Sequence, residues 1–171
     1  MSDARILVVF YSRSGTTRKL ASAIAESLGA DLEEICDYSD RRSVGGYVRS
    51  LLDAIGKRCV DIVPGGRDVA TYDLVVIGTP VWAGMPCAPV RAWILGNKGQ
   101  LRHIAAFCSL GGRGSATTFE EVSRLAGRTP LARCKVTGRD IRQRNERALI
   151  RDFVAALKRK AATFDEVEWM S

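Results

Sequence analysis

Residues 6–28 place the tightest constraint on the fold. Ile6-Leu7-Val8-Val9-Phe10 is an unbroken apolar run, the pattern of a strand buried on both faces. Leu20, Ala21, Ile24, Ala25 and Leu28 follow at helical spacing and form one apolar stripe to lay against a sheet. A strand with two buried faces needs cover on each, so this unit predicts a parallel sheet wrapped by helices. Joining strand to helix is Tyr11-Ser12-Arg13-Ser14-Gly15-Thr16-Thr17-Arg18. A helix N-terminus offers unpaired backbone N–H groups and a dipole that favours an anion. Ser12, Ser14, Thr16 and Thr17 add hydroxyl donors, and Gly15 lets the backbone come close. An ordinary Ser/Thr cap accounts for one or two such hydroxyls. Four within six residues indicate a phosphate site. No Walker lysine pattern and no Gly-x-Gly-x-x-Gly follow this strand, which argues against a nucleoside triphosphate and a Rossmann dinucleotide.

The alternation continues. Leu32–Cys36 predicts a second strand, and Val44, Tyr47, Val48, Leu51, Leu52 and Ile55 an amphipathic helix. Pro64-Gly65-Gly66 breaks the chain. Leu74-Val75-Val76-Ile77 predicts a third buried strand ending at Gly78-Thr79-Pro80, with a helix starting near Pro89. Ile104–Cys108 predicts a fourth strand, Phe119–Ala126 a helix, and Ala132–Val136 a fifth strand. A last helix buries Leu149, Ile150, Phe153, Val154 and Leu157. In such sheets ligands lie beyond the carboxyl ends of the strands, where the winding reverses. The loops after the first, third and fourth strands are hydroxyl-rich, Pro/Trp-bearing and glycine-rich respectively. Three unusual loops at one sheet edge predict one composite pocket.

At 171 residues the chain suits a single domain, expected over residues 1–163, with an acidic tail at 164–171. No apolar run approaches a membrane span, and Met-Ser-Asp-Ala-Arg lacks a signal-peptide core. Cys36, Cys59, Cys87, Cys108 and Cys134 are scattered without a Cys-x-x-Cys pair, so reduced thiols in a cytoplasm and no metal cluster are expected. His103 is the sole histidine and opens an apolar strand, which suits a structural role. The net charge of +7 suits an acidic partner or anionic surface. The densest basic run, Arg139 to Arg151, is interleaved with Asp140, Glu146 and Asp152 and carries no recognition motif, so nucleic acid is not expected and a salt-bridged surface is.

The three loops resemble those of the flavodoxin family, over nearly the whole chain. Ser12-Arg13-Ser14-Gly15-Thr16-Thr17 is similar to its phosphate loop, [ST]-x-[ST]-G-x-T. Gly78-Thr79-Pro80-Val81-Trp82-Ala83-Gly84-Met85-Pro86 resembles the loop that holds the isoalloxazine ring. Ser109-Leu110-Gly111-Gly112-Arg113-Gly114 sits where the family has its second ring loop. The resemblance implies a three-layer α/β fold, doubly wound around a five-stranded parallel sheet of order 2-1-3-4-5. It also implies FMN as cofactor. Ser12 to Thr17 would take the phosphate. Thr79, Pro80, Val81, Trp82, Ala83 and Gly84 would serve the ring, with Ser109, Leu110, Gly111, Gly112 and Gly114 on its other side.

Departures from the family pattern bear on function. Small electron-carrying flavodoxins are acidic and sandwich the ring between aromatics. This chain is basic, and its third loop has no aromatic. An open ring face suits hydride transfer from NAD(P)H and a quinone-type acceptor; a sandwiched ring suits one-electron exchange. Two readings follow: an FMN-dependent oxidoreductase fed by NAD(P)H or a reductase, or a non-enzymatic carrier between protein partners. Arg113 is a candidate for stabilising negative charge on the reduced ring or meeting an anionic substrate, and equally for a solvated loop arginine. Cys87 lies among apolar neighbours and reads as packing. Three tryptophans and the helical faces permit a homodimer.

Overall fold

The computed structural model describes residues 4–37, 62 and 65–164. Strand β1 (Ile6–Phe10) leads into helix α1 (Thr16–Leu28) and strand β2 (Asp31–Glu34). Strand β3 (Leu74–Trp82), the two-residue β4 (Met85–Pro86) and helix α2 (Ala88–Asn97) follow. Next come β5 (His103–Leu110), α3 (Ser115–Ala126), β6 (Arg133–Thr137), the short α4 (Gly138–Arg142) and α5 (Glu146–Ala161). The five long strands are parallel in the order β2-β1-β3-β5-β6, and β4 pairs antiparallel with β3. This is the doubly wound order 2-1-3-4-5 expected from the resemblance, with one small strand added. The amphipathic helix expected around Val44–Ile55 and the acidic residues Asp165, Glu166 and Glu168 lie outside the described residues.

Strand alternation divides the core in two. Leu7, Val9, Val75, Ile77, Ile104 and Ala106 point to one face, where Val90, Trp93 and Ile94 of α2 and Phe119 and Val122 of α3 cover them. Val8, Phe10, Val76, Ala105, Phe107 and Val136 point to the other, under Leu20 and Ile24 of α1 and Phe153 and Leu157 of α5. Period-2 side chains on a sheet covered on both faces produce this division.

Four strands differ in their bounds from the sequence reading: β5 runs His103–Leu110 against the expected 104–108, and β6 Arg133–Thr137 against 132–136. β2 begins one residue early and stops at Glu34, because pairing with β1 ends at Phe10↔Glu34. β3 does not stop at Gly78-Thr79-Pro80: it pairs with β5 as far as Pro80↔Ser109 and then folds back through Val81↔Pro86 and Trp82↔Met85. The region read as a loop is therefore a strand that becomes a hairpin. Gly78 permits the extension, since a Cβ there would lie 2.1 Å from the Phe107 ring.

Candidate functional site

The winding reverses between β1 and β3, and the loops after β1, β3 and β5 meet at the carboxyl edge of the sheet. Ligands of open α/β sheets lie in this crevice. The first loop is shaped by Ser12, whose buried Oγ accepts the Gly15 N–H at 3.1 Å. Gly15 itself takes φ 93°, a left-handed conformation, and opens α1 without a side-chain cap or an acidic residue in the first turn. No acidic residue in the first turn of α1 therefore competes for the positive end of the helix dipole. Arg13 and Ser14 are exposed, and Ser14 Oγ lies 3.4 Å from Thr16 Oγ1. Arg18, at the end of the motif, is committed elsewhere: its guanidinium bonds Glu34 at 2.5 Å, and that bond raises its pKa.

Thr17 Oγ1 and Ser109 Oγ are buried and 2.8 Å apart, which ties the first loop to the end of β5. Two hydroxyls hold two protons and their mutual bond uses one, so the pair retains one donor. The second loop is a hairpin whose tip, Ala83-Gly84, has positive φ at both residues, 52° and 74°. Such a turn matches the twist of the flanking strands. Trp82 is half-buried, with its ring edge-on to buried Tyr11, centroids 5.8 Å apart. Thr79 is buried beneath the loop. Its hydroxyl accepts the Cys87 N–H at 3.1 Å and donates to Pro80 O at 2.8 Å. Burial pushes the Cys87 thiol up to about 12, so it is a packed thiol, as the sequence suggested.

The third loop is more divided than its sequence implied. Leu110 belongs to the core, while Gly111, Gly112 and Arg113 are exposed. Gly114 opens α3 at φ 104°, and a Cβ there would lie 2.7 Å from Gly84 Cα. The second and third loops thus touch backbone to backbone. Thr117 locks them. Its Oγ1 is 2.6 Å from Gly84 O and 3.1 Å from Gly114 O. Gly114 O already accepts Thr118 Oγ1 at 2.7 Å and Thr118 N–H, so the single Thr117 proton goes to Gly84. Thr117 and Tyr11 were not singled out as site residues. For Thr117 a signal existed: Gly114-Ser115-Ala116-Thr117-Thr118 repeats the glycine-then-hydroxyl character of the first loop.

The chain matches the family profile of flavodoxin over residues 5–153. It belongs to the flavodoxin family. A flavoprotein from Lactobacillus acidophilus NCFM, solved in complex with FMN, superposes with TM-score 0.69 at 24% identity, covering 82% of this chain and 97% of that one. The rubredoxin oxygen:oxidoreductase of the anaerobe Desulfovibrio gigas matches with TM-score 0.53 at 19% identity, over 92% of this chain and 37% of that one. At these identities the likeness concerns the fold. In sequence the chain is 29% identical over 137 residues to the coenzyme F420H(2) oxidase of Methanothermobacter marburgensis. The match takes in 74% of this chain but spans only 29% of that relative's length.

The FMN that a flavodoxin implies needs donors for a phosphate dianion, a flat apolar surface and a polar edge. An uncapped helix start with Ser14, Thr16 and the Thr17–Ser109 pair answers the first need. Half-exposed Trp82 and the peptides of a rigid hairpin answer the other two. The residues present fit the group. Among the described residues no cluster of His, Cys, Asp and Glu could hold a metal ion, and no helix is long and apolar enough to cross a membrane.

Proposed function

We propose that this flavodoxin binds FMN and works as an electron-transfer protein, an oxidoreductase passing electrons from NAD(P)H or a reductase to a quinone-type acceptor. The observation that carries the reading is the mutual locking of three loops at the switch point. Thr17–Ser109 joins the first to the third, and Thr117–Gly84 with the Gly114–Gly84 contact joins the third to the second. A site held this way is preorganised, so little of its binding energy is lost in ordering it. Ser12, Arg13, Ser14, Gly15, Thr16 and Thr17 take the phosphate. Trp82 and the backbone of 79–84 take one side of the ring, with Ser109, Gly111, Gly112 and Gly114 near the other. FMN supplies transfer of one or two electrons at its ring. The protein's part is to hold the ring, keep water from its buried side and set the access of donor and acceptor.

Exposed Gly111-Gly112-Arg113, without an aromatic, supports a ring face open to a nicotinamide or quinone. Arg113 stands where it can meet an anionic donor. The relative named as an F420H(2) oxidase supports redox work on a reduced coenzyme. The second reading, a carrier between proteins, draws support from the exposed, cationic surroundings of the same edge. Anaerobic mixing of the FMN-loaded protein with NADPH or NADH, followed by flavin absorbance, tests the choice. Rapid bleaching establishes direct hydride acceptance. Reduction by dithionite alone assigns the protein to the carrier class.

A further inference from the structure

The rim of the site has an uneven charge. Residues 11–15, 35–37, 78–87, 109–115 and 137–145 build the carboxyl edge in the described residues. They contain five arginines (Arg13, Arg113, Arg139, Arg142 and Arg144) and two carboxylates, Asp37 and Asp140. The rim therefore holds three of the chain's seven net positive charges. All five arginines are exposed. Asp37 is buried, and Asp140 is tied to the start of its own helix: its Oδ2 accepts the Thr137 N–H at 2.7 Å and Thr137 Oγ1 at 2.6 Å, closing a capping box. Those two bonds hold its pKa below the usual carboxylate range.

Helix α4 is the unusual element of this rim. It starts directly after Thr137, which pairs with Leu110, so it stands beside the third loop. It is fixed at its start by the capping box, yet none of its residues is buried. Ile141 lies 38% exposed on it, one of two large exposed hydrophobics among the described residues, with Arg139, Arg142 and Arg144 around it. The chain leaves the helix through Arg144 at φ 56°, a conformation that side-chain-bearing residues seldom adopt. An element anchored by its own cap that buries no side chain contributes little to the core. An apolar centre ringed by cations is the anatomy of a protein contact, with charge for steering and apolar area for the bound state.

We infer that α4 and the Gly111–Arg113 loop form a docking face for an acidic redox protein, which exchanges electrons with the flavin across this edge. The inference rests on the electron-transfer reading above. A small anion such as a nicotinamide phosphate would use the arginines but has no use for Ile141 on an outward-facing helix. A protein surface with carboxylates around an apolar patch uses both.

The test titrates the ¹⁵N-labelled chain, with and without FMN, against an acidic plant-type [2Fe–2S] ferredoxin and, separately, basic cytochrome c. Resonance shifts are expected at residues 111–113 and 139–144 with ferredoxin only. Affinity should fall roughly tenfold or more in 0.5 M salt, or on combining Arg139→Glu with Arg142→Glu. Ile141→Ser should weaken binding while leaving its salt dependence intact. Arg151→Glu, on α5 where Arg151 pairs with Asp152 at 3.6 Å, should change little. The inference is overturned if ferredoxin does not bind, if the charge-reversal variant binds it equally well, or if cytochrome c binds more tightly. If the chain takes up no FMN, the electron-transfer reading fails by itself, because the titration of the flavin-free chain still reports on the docking face.

Discussion

Replacing Gly114 with alanine should loosen the candidate site from its hinge outward. Two costs combine at this position. The backbone has φ 104° and ψ 10°, outside the regions open to a side-chain-bearing residue, at a cost of about 1–3 kcal/mol. The new Cβ would also lie 2.7 Å from Gly84 Cα and 3.3 Å from Val81 Cγ1. Carbon atoms prefer roughly 3.5–4.0 Å, so the hairpin tip must retreat by about 1 Å, and such overpacking costs about 1–3 kcal/mol. The sum is about 2–6 kcal/mol, which lowers Tm by about 4–24 °C for a chain of this size. Gly127→Ala is the control. Its φ is 66° with nothing within 4 Å of the new Cβ, so it carries the conformational cost alone, about 1–2 kcal/mol. Thermal unfolding of both flavin-free variants isolates the contact, and an FMN titration reads its effect on the site. FMN affinity should drop at least about tenfold in Gly114→Ala, or 1.4 kcal/mol, and stay near wild type in Gly127→Ala. Equal destabilisation of the two, together with unchanged FMN affinity in Gly114→Ala, would refute the argument that this backbone contact sets the width of the site.

Thr117→Val removes the hydroxyl that holds Gly84 O while preserving shape, and should shift the flavin midpoint potential, with recovery in Thr117→Ser; potentiometry that finds Val and Ser alike would dismiss the lock. Ser14→Ala with Thr17→Ala should weaken FMN binding by about 10- to 100-fold, through lost hydrogen bonds to a charged group, while far-UV circular dichroism of the flavin-free protein stays unchanged. Gly78→Ala drives a Cβ to 2.1 Å from Phe107 Cζ and should destabilise strongly; a double-mutant cycle with Phe107→Leu should recover part of the loss. His103 has its pKa lowered by burial and by nearby Arg128 and Arg102, against an opposing pull from Asp73. The folded state therefore favours the neutral ring. This contribution is complete above the unfolded value of about 6.5 and is lost as pH falls through the folded value. Acidification from pH 7.5 to 5 should cost the wild type more stability than His103→Phe, which keeps a ring against Phe164, now 4.2 Å away in a parallel stack; equal slopes would remove His103 from the account.

Much of this protein is legible in residues close together along the chain. The run Ile6–Phe10, the stripe from Leu20 and the hydroxyl loop between them specify strand, helix and an anion-receptive joint by local periodicity and dipole alone. The same holds for the apolar runs at 74–77 and 104–108, and hence for the parallel sheet. What no local pattern carries is how distant residues share a proton or a volume. Thr17 and Ser109 are 92 residues apart, and only the adjacency of β1, β3 and β5 turns two hydroxyls into one hydrogen-bonded pair. The resemblance places Thr79 and Leu110 in the ring-facing loops. Register buries both side chains, one bonded to the Cys87 N–H and the other in the core. Gly78 ends a strand by propensity, yet it continues one because the Phe107 ring across the ladder needs the space of a missing Cβ. The positions of the long strands, the anion-receptive chemistry of the first loop and the edge the loops share all follow from neighbours in the chain. Which hydroxyls remain available, where two backbones touch at Gly84 and Gly114, and that α4 faces outward depend instead on what the fold brings alongside.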